Sequence, residues 1–103
     1  MAMNGATVNA DARNMKILLV DDHDSIRRSI RQLIELKDEF EVVGEGCNGS
    51  EAIDQVGALR PDIVLMDMNM PVMDGVQATR VIKQRHPEIQ VLALTAFADM
   101  SLV

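Results

Sequence analysis

The chain has 103 residues, 48% of them hydrophobic but only 2% aromatic (Phe40 and Phe97), which leaves room for one domain with an aliphatic core. It holds no uncharged apolar run of about 18 residues and no basic segment leading into an apolar stretch, so no membrane-spanning helix and no secretory signal is expected. The net charge of -6 speaks against a nucleic-acid-binding surface, and the lone cysteine, Cys47, cannot form an internal disulfide, which fits a reducing cytoplasm.

Residues 1–14 are small and polar without a period and read as a disordered tail, so the folded domain is expected over 15–103. Lys16 to Val20 is a short apolar run ending at two aspartates, as in a strand buried on both faces. Ile26, Ile30, Leu33 and Ile34 then recur at helical spacing, with Asp24 or Ser25 placed to cap the helix start. Phe40 to Val43 is a second strand, and Gly44, Gly46 and Gly49 read as loop. Ser50 to Leu59 is a second helix with Ser50 as its cap, ended at Arg60-Pro61. Ile63 to Met66 is a third strand ending at Asp67, followed by a loop from Met68 to Asp74. Gly75 to Arg85 is a third helix, closed by His86-Pro87. Ile89 to Leu94 is a fourth strand ending at Thr95, and Asp99 is placed to open a fourth helix.

Strand and helix alternating through short loops predict an α/β fold, an open, doubly wound parallel sheet with helices on both faces. In such a sheet, ligands bind beyond the carboxyl ends of the strands. There the sequence puts Asp21 and Asp22, Asp67 and Thr95. Carboxylates brought that close repel, and a hard divalent cation such as Mg²⁺ relieves the conflict. An aspartate in line with a phosphoryl donor can act as a nucleophile, and the Thr95 hydroxyl can donate to a phosphoryl oxygen. A single strand-end Asp is more often a cap or loop residue; the ordered set is what points to chemistry.

Leu18 to His23 resembles the acidic-pair segment of the receiver domains of two-component response regulators. Asp62 to Gly75 resembles their phosphoacceptor segment, and Val91 to Ala96 their switch segment. Phe40 to Glu45, with Asn48 to Ala52, is similar to the NarL/FixJ-type branch, in which a helix-turn-helix DNA-binding domain commonly follows. The resemblance implies a flavodoxin-like sheet of order 2-1-3-4-5 and a phosphoacceptor domain rather than a dedicated enzyme. It implies Asp67 as acceptor of a phosphoryl group from a sensor histidine kinase or a small phosphodonor. Asp22 and Asp67 would hold Mg²⁺, with Asp21 acting through a water and Met68 through its backbone carbonyl. Thr95 would bond the phosphoryl group and switch, with Ala96 leaving it room. Asn69 would tune the lifetime of the phosphorylated state, and Pro71 and Gly75 would shape the loop. The implied output is transcriptional regulation through a DNA-binding domain not in this segment.

The resemblance runs from Met15 to the end of the sequence, but no residue can be assigned to the family's fifth strand, fifth helix or lysine, or to most of its fourth helix. The chain is therefore expected to be a fragment, or to pair with a second copy through an exposed fourth strand, Val91 to Leu94, as a homodimer or by strand exchange. Two other functions compete. A haloacid-dehalogenase-type enzyme needs a second acid where this chain has Asn69. A pseudo-receiver acting as a protein-interaction module without phosphate fits the missing lysine but not the complete acidic set. Arg27, Arg28 and Arg31 are read as either a kinase-docking or a solvated face. His23 is read as a loop or first-turn residue rather than a ligand, His86 as a helix-end residue and Cys47 as a small buried or half-buried one. Met66, Met68, Met70 and Met73 are read as packing, not as a soft-metal site.

Overall fold

The computed structural model describes residues 14–94. Four parallel strands, β1 (Met15–Val20), β2 (Phe40–Gly46), β3 (Ile63–Met66) and β4 (Gln90–Ala93), alternate with three helices, α1 (Asp24–Glu35), α2 (Gly49–Leu59) and α3 (Gly75–Arg85). The sheet order is β2-β1-β3-β4, with β1 and β3 central, as expected for the first four strands. The expected tail over 1–13, Thr95, Ala96 and the helix opened by Asp99 lie outside the described residues.

Side chains alternate across a strand, so β1 feeds both faces of the sheet. Leu18 and Val20 pack with Val64 and Met66 under Ala52 and Val56 of α2 and Ala78 and Ile82 of α3. Ile17 and Leu19 point the other way and pack with Val42, Leu65 and Leu94 under Ile34 of α1. Met66 and Met70 belong to the first cluster, and Met68 and Met73 pack against it, so the methionines fill space as expected.

The structure corrects several local expectations. The second strand runs to Gly46, so Gly44 and Gly46 are strand residues and not loop. Its register against β1 slips between Ile17 and Leu18, pairing Val42 with Ile17 and Gly44 with Leu18, so that Val43 is an extra residue. A Cβ at Gly44 would lie 2.6 Å from Leu59 Cδ1, so a larger residue there would push the Leu59 side chain aside. Neither Asp24 nor Ser25 caps α1; the cap position is His23, with no side-chain bond to the helix. Asn48, not Ser50, caps α2, its side chain accepting from the Glu51 N–H at 2.9 Å. The fourth strand is shorter at both ends than expected. On α1 only Ile34 is buried and Leu33 is 53% exposed, because no second helix lies beside α1 over this face among the described residues. β4 pairs with β3 alone among the described residues, and Leu92 is 49% exposed on it.

Candidate functional site

The carboxyl ends of the two central strands form the site. β1 and β3 pair in register through Val20 and Met66, so the residues that follow, Asp21 and Asp67, emerge side by side. Two backbone bonds lock this: the Asp67 N–H donates to Val20 O at 2.9 Å, and the Asp21 N–H donates to Gly46 O at 3.0 Å. One ligand atom each from Asp21, Asp22, His23 and Asp67 lies within 4.8 Å of every other. Of the residues expected at the site, these three aspartates are brought together; Thr95 lies outside the described residues.

The acidic pair is not symmetric. Asp21 is only 3% exposed, and its Oδ1 accepts the His23 N–H at 2.7 Å and faces the His23 Nδ1 at 2.9 Å. Asp22 Oδ1 is buried and has no hydrogen-bond partner; His23 Nδ1 is 3.1 Å away, at ion-pair distance but without hydrogen-bond geometry. A buried carboxylate oxygen left without a partner is costly. His23 lies just before α1, as expected of a loop or first-turn residue. Its ring closes the cluster, and the Asp21 hydrogen bond, followed by the Asp22 charge, raises its pKa above the ordinary value.

The loop after β3 is pinned around Asp67. Asp67 Oδ1 accepts the Asn69 N–H at 3.0 Å, which leaves the other oxygen for chemistry. The Met68 carbonyl accepts the Gly75 N–H at 3.1 Å and keeps a second lone pair. Gly75 is needed for that approach: a Cβ there would sit on the Asp67 carbonyl oxygen and 2.7 Å from Met68 Cα. Asp74 caps α3 through the Gln77 N–H at 2.9 Å, and Asn69 is exposed at the loop's start. The carboxylates of Asp21, Asp22 and Asp67 offer only oxygens, and one of those oxygens, on Asp22, lacks a partner. That set fits a hard cation that prefers oxygen, and these residues could hold one.

Of the three arginines, Arg28 is exposed on α1, Arg31 is partly exposed and Arg27 is largely buried. Arg27 and Arg31 both bond Glu45 at the end of β2, and Arg27 also bonds the Asp21 backbone carbonyl and the Asp24 carboxylate. Burial pushes the Glu45 carboxyl up, but hydrogen bonds from Arg27 and Arg31 outweigh it and hold it below the ordinary range. Asp24 and Arg27, three residues apart, are neighbours on the surface of α1. The Glu45 partner emerges only when β2 is laid beside β1.

The model of the response regulator receiver domain family matches residues 17–103. The chain is 47% identical over 85 residues to the response regulator protein VraR of Staphylococcus aureus, covering 82% of this chain and 41% of that one. It is 40% identical over 89 residues to the transcriptional regulatory protein DegU of Brevibacillus brevis, covering 86% and 38%. The chain thus spans about two fifths of the length of these curated relatives. Among solved structures it resembles the signal receiver domain of NarL from Mycobacterium tuberculosis, with a TM-score of 0.74, 30% identity, and 78% of this chain and 64% of that one covered. No helix among the described residues is long and apolar enough to cross a membrane.

Proposed function

Because this chain belongs to the response regulator receiver domain family, in its NarL-like branch, we propose that it takes a phosphoryl group onto Asp67 from a sensor histidine kinase, with Mg²⁺ held by Asp22, Asp67 and the Met68 carbonyl. One observation carries the reading: three strand-end carboxylates share one crevice, and a buried oxygen of Asp22 there has no partner. Asp21 already has its Oδ1 occupied by His23, which suits it to act through water rather than as a direct ligand.

In the transfer, the free oxygen of Asp67 attacks phosphorus. The phosphorus–nitrogen bond of the donor phosphohistidine breaks, its electron pair leaves with the imidazole, and an acyl phosphate forms on Asp67. The Asn69 N–H holds the other Asp67 oxygen and so fixes the attacking one. Asn69 itself, exposed beside the acceptor, is positioned to influence how water reaches the acyl phosphate and thereby its lifetime. A bound Mg²⁺ neutralises charge on the phosphoryl oxygens. Thr95, one residue beyond the described part of the chain after β4, is assigned the hydrogen bond to the phosphoryl group. The chain acts as a cytoplasmic phosphoacceptor, and the output of the relatives it resembles, transcriptional regulation, would run through a separate DNA-binding domain.

Incubation with acetyl phosphate and Mg²⁺ followed by intact-mass measurement tests this. A mass increase of one phosphoryl group is expected for the wild type and none for Asp67→Asn. An equal increase in both proteins, or none in a folded wild type that also fails to bind beryllofluoride, would refute the assignment. The second of those results would favour a protein-interaction module without phosphate.

A further inference from the structure

We infer that Arg27 is a positioning residue for the acidic pair, holding the Asp21–Asp22 peptide so that the Asp22 carboxylate faces Asp67. This rests on the Mg²⁺ site proposed above and adds a residue to it that lies outside the ligand set.

Arg27 stands in the first turn of α1, and its side chain is only 15% exposed. Its guanidinium has three partners. Nη1 donates to the Asp21 backbone carbonyl, Nη2 to Asp24 Oδ1, and Nε to Glu45 Oε1 at 2.9 Å. Asp21 is the first residue past β1, so its carbonyl has left the sheet ladder. Its N–H is still tied to β2 through Gly46 O. The residue is therefore held on both sides, by β2 at the nitrogen and by Arg27 at the carbonyl. Rotation of that carbonyl would carry the Cα of Asp22 with it and swing the unpartnered Oδ1 out of the crevice. Glu45 is in turn fixed by Arg31, which also pairs with Glu35 at 3.1 Å. A chain of contacts thus runs from β2 through Arg27 to the turn that carries the pair.

Geometry and charge make opposite predictions. A cation beside a metal site repels the metal, so if Arg27 acted by charge its removal would tighten Mg²⁺ binding. Its charge, however, is already met by Asp24 and Glu45. Loss of the carbonyl bond should dominate, and removal should weaken binding. Arg31 is the internal control: it shares Glu45, and neither of its pairs involves Asp21 or Asp22.

The test is titration of Mg²⁺ by isothermal calorimetry into the full chain and into Arg27→Ala, Arg27→Lys and Arg31→Ala, with thermal midpoints measured alongside. Arg27→Ala should weaken Mg²⁺ binding by about tenfold or more, in the range typical for residues supporting metal ligands. Arg27→Lys should recover little of it, since an ammonium cannot hold three acceptors in one planar fork. Arg31→Ala should bind within about twofold of wild type even where its midpoint falls as far. Binding by Arg27→Ala within that same margin, or an equal loss in Arg31→Ala, would overturn the inference. If Arg27→Ala does not fold, Arg27→Lys decides by the same margin. Wild-type protein that binds no Mg²⁺ would sink the proposed function and this inference together. Wild-type binding with an indifferent Arg27 would sink this inference alone.

Discussion

Val72 sits at φ 72 in the loop after the acceptor and is 85% exposed. The Met73 N–H donates to Pro71 O at 2.9 Å around it, which makes a tight three-residue turn. A β-branched residue with positive φ stores roughly 1–3 kcal/mol of strain. Glycine adopts that conformation freely but costs about 0.4–1 kcal/mol through the unfolded chain. Val72→Gly should therefore stabilise the protein by about 1 kcal/mol, read as a higher urea midpoint at an unchanged slope. A lower midpoint would show that the turn is not strained. At this scale the sequence was legible where chemistry dictates residue type. Asp21, Asp22 and Asp67 converge as their positions at strand ends required. It was not legible where orientation decides: nothing in the order of residues 21–23 told that the His23 ring would fold back onto the carboxylates.

Helices and strands followed from apolar runs and spacing, because each run has a single face or pair of faces to bury. The errors fall where a tertiary partner overrides a local rule. Gly44 and Gly46 read as loop, yet parallel pairing with β1 draws both into β2. The cap of α2 was in fact readable: Asn48 with Glu51 three residues on is a capping pair, and Glu51 Oε1 also accepts the Cys47 N–H at 2.8 Å. The link between α1 and β2 through Glu45 was hidden by its distance along the chain. That link carries a pH dependence. The folded Glu45 carboxyl titrates below its ordinary value, so it adds stability that is present above the ordinary carboxylate range and is lost as pH falls through the folded value. Wild type should therefore exceed Glu45→Gln in thermal midpoint above about pH 5, and the gap should close as the pH falls below about 4. A gap that stays constant from neutral pH to below pH 4 would show that the ion pairs do not contribute.

For the whole molecule, the site is a concentration of negative charge at one end of the sheet, in a chain that is already acidic. A cation that binds the folded form alone stabilises it by mass action, by about 2.7 kcal/mol at a hundredfold excess over its dissociation constant. Mg²⁺ should therefore raise the thermal midpoint of the wild type in proportion to the logarithm of its concentration. Asp22→Asn relieves repulsion, so it should melt at or above the metal-free wild type and respond little to Mg²⁺. A Mg²⁺ response in Asp22→Asn as large as in the wild type would place the cation elsewhere. The fold class followed from the alternation of elements, and the strand order from the family resemblance. An exposed fourth strand was expected, and β4 pairs with β3 alone among the described residues; the exposure of Leu33 on α1 was not read from its helical spacing, since an apolar residue does not say which neighbour covers it.

The bond from the Gly49 amide to the Met73 carbonyl, at 2.9 Å, moors the acceptor loop to the start of α2. A Cβ at Gly49 would lie 2.6 Å from that carbonyl, so the contact has no slack. With Gly75 fastened to Met68, the loop is anchored near both its ends despite its outward-facing tip. Solvent deuterium should therefore enter the Gly49 and Gly75 amides far more slowly than that of exposed Val72, as nuclear magnetic resonance can follow residue by residue. The stretch that carries the acceptor is thus tied by hydrogen bonds to the first residues of both α2 and α3.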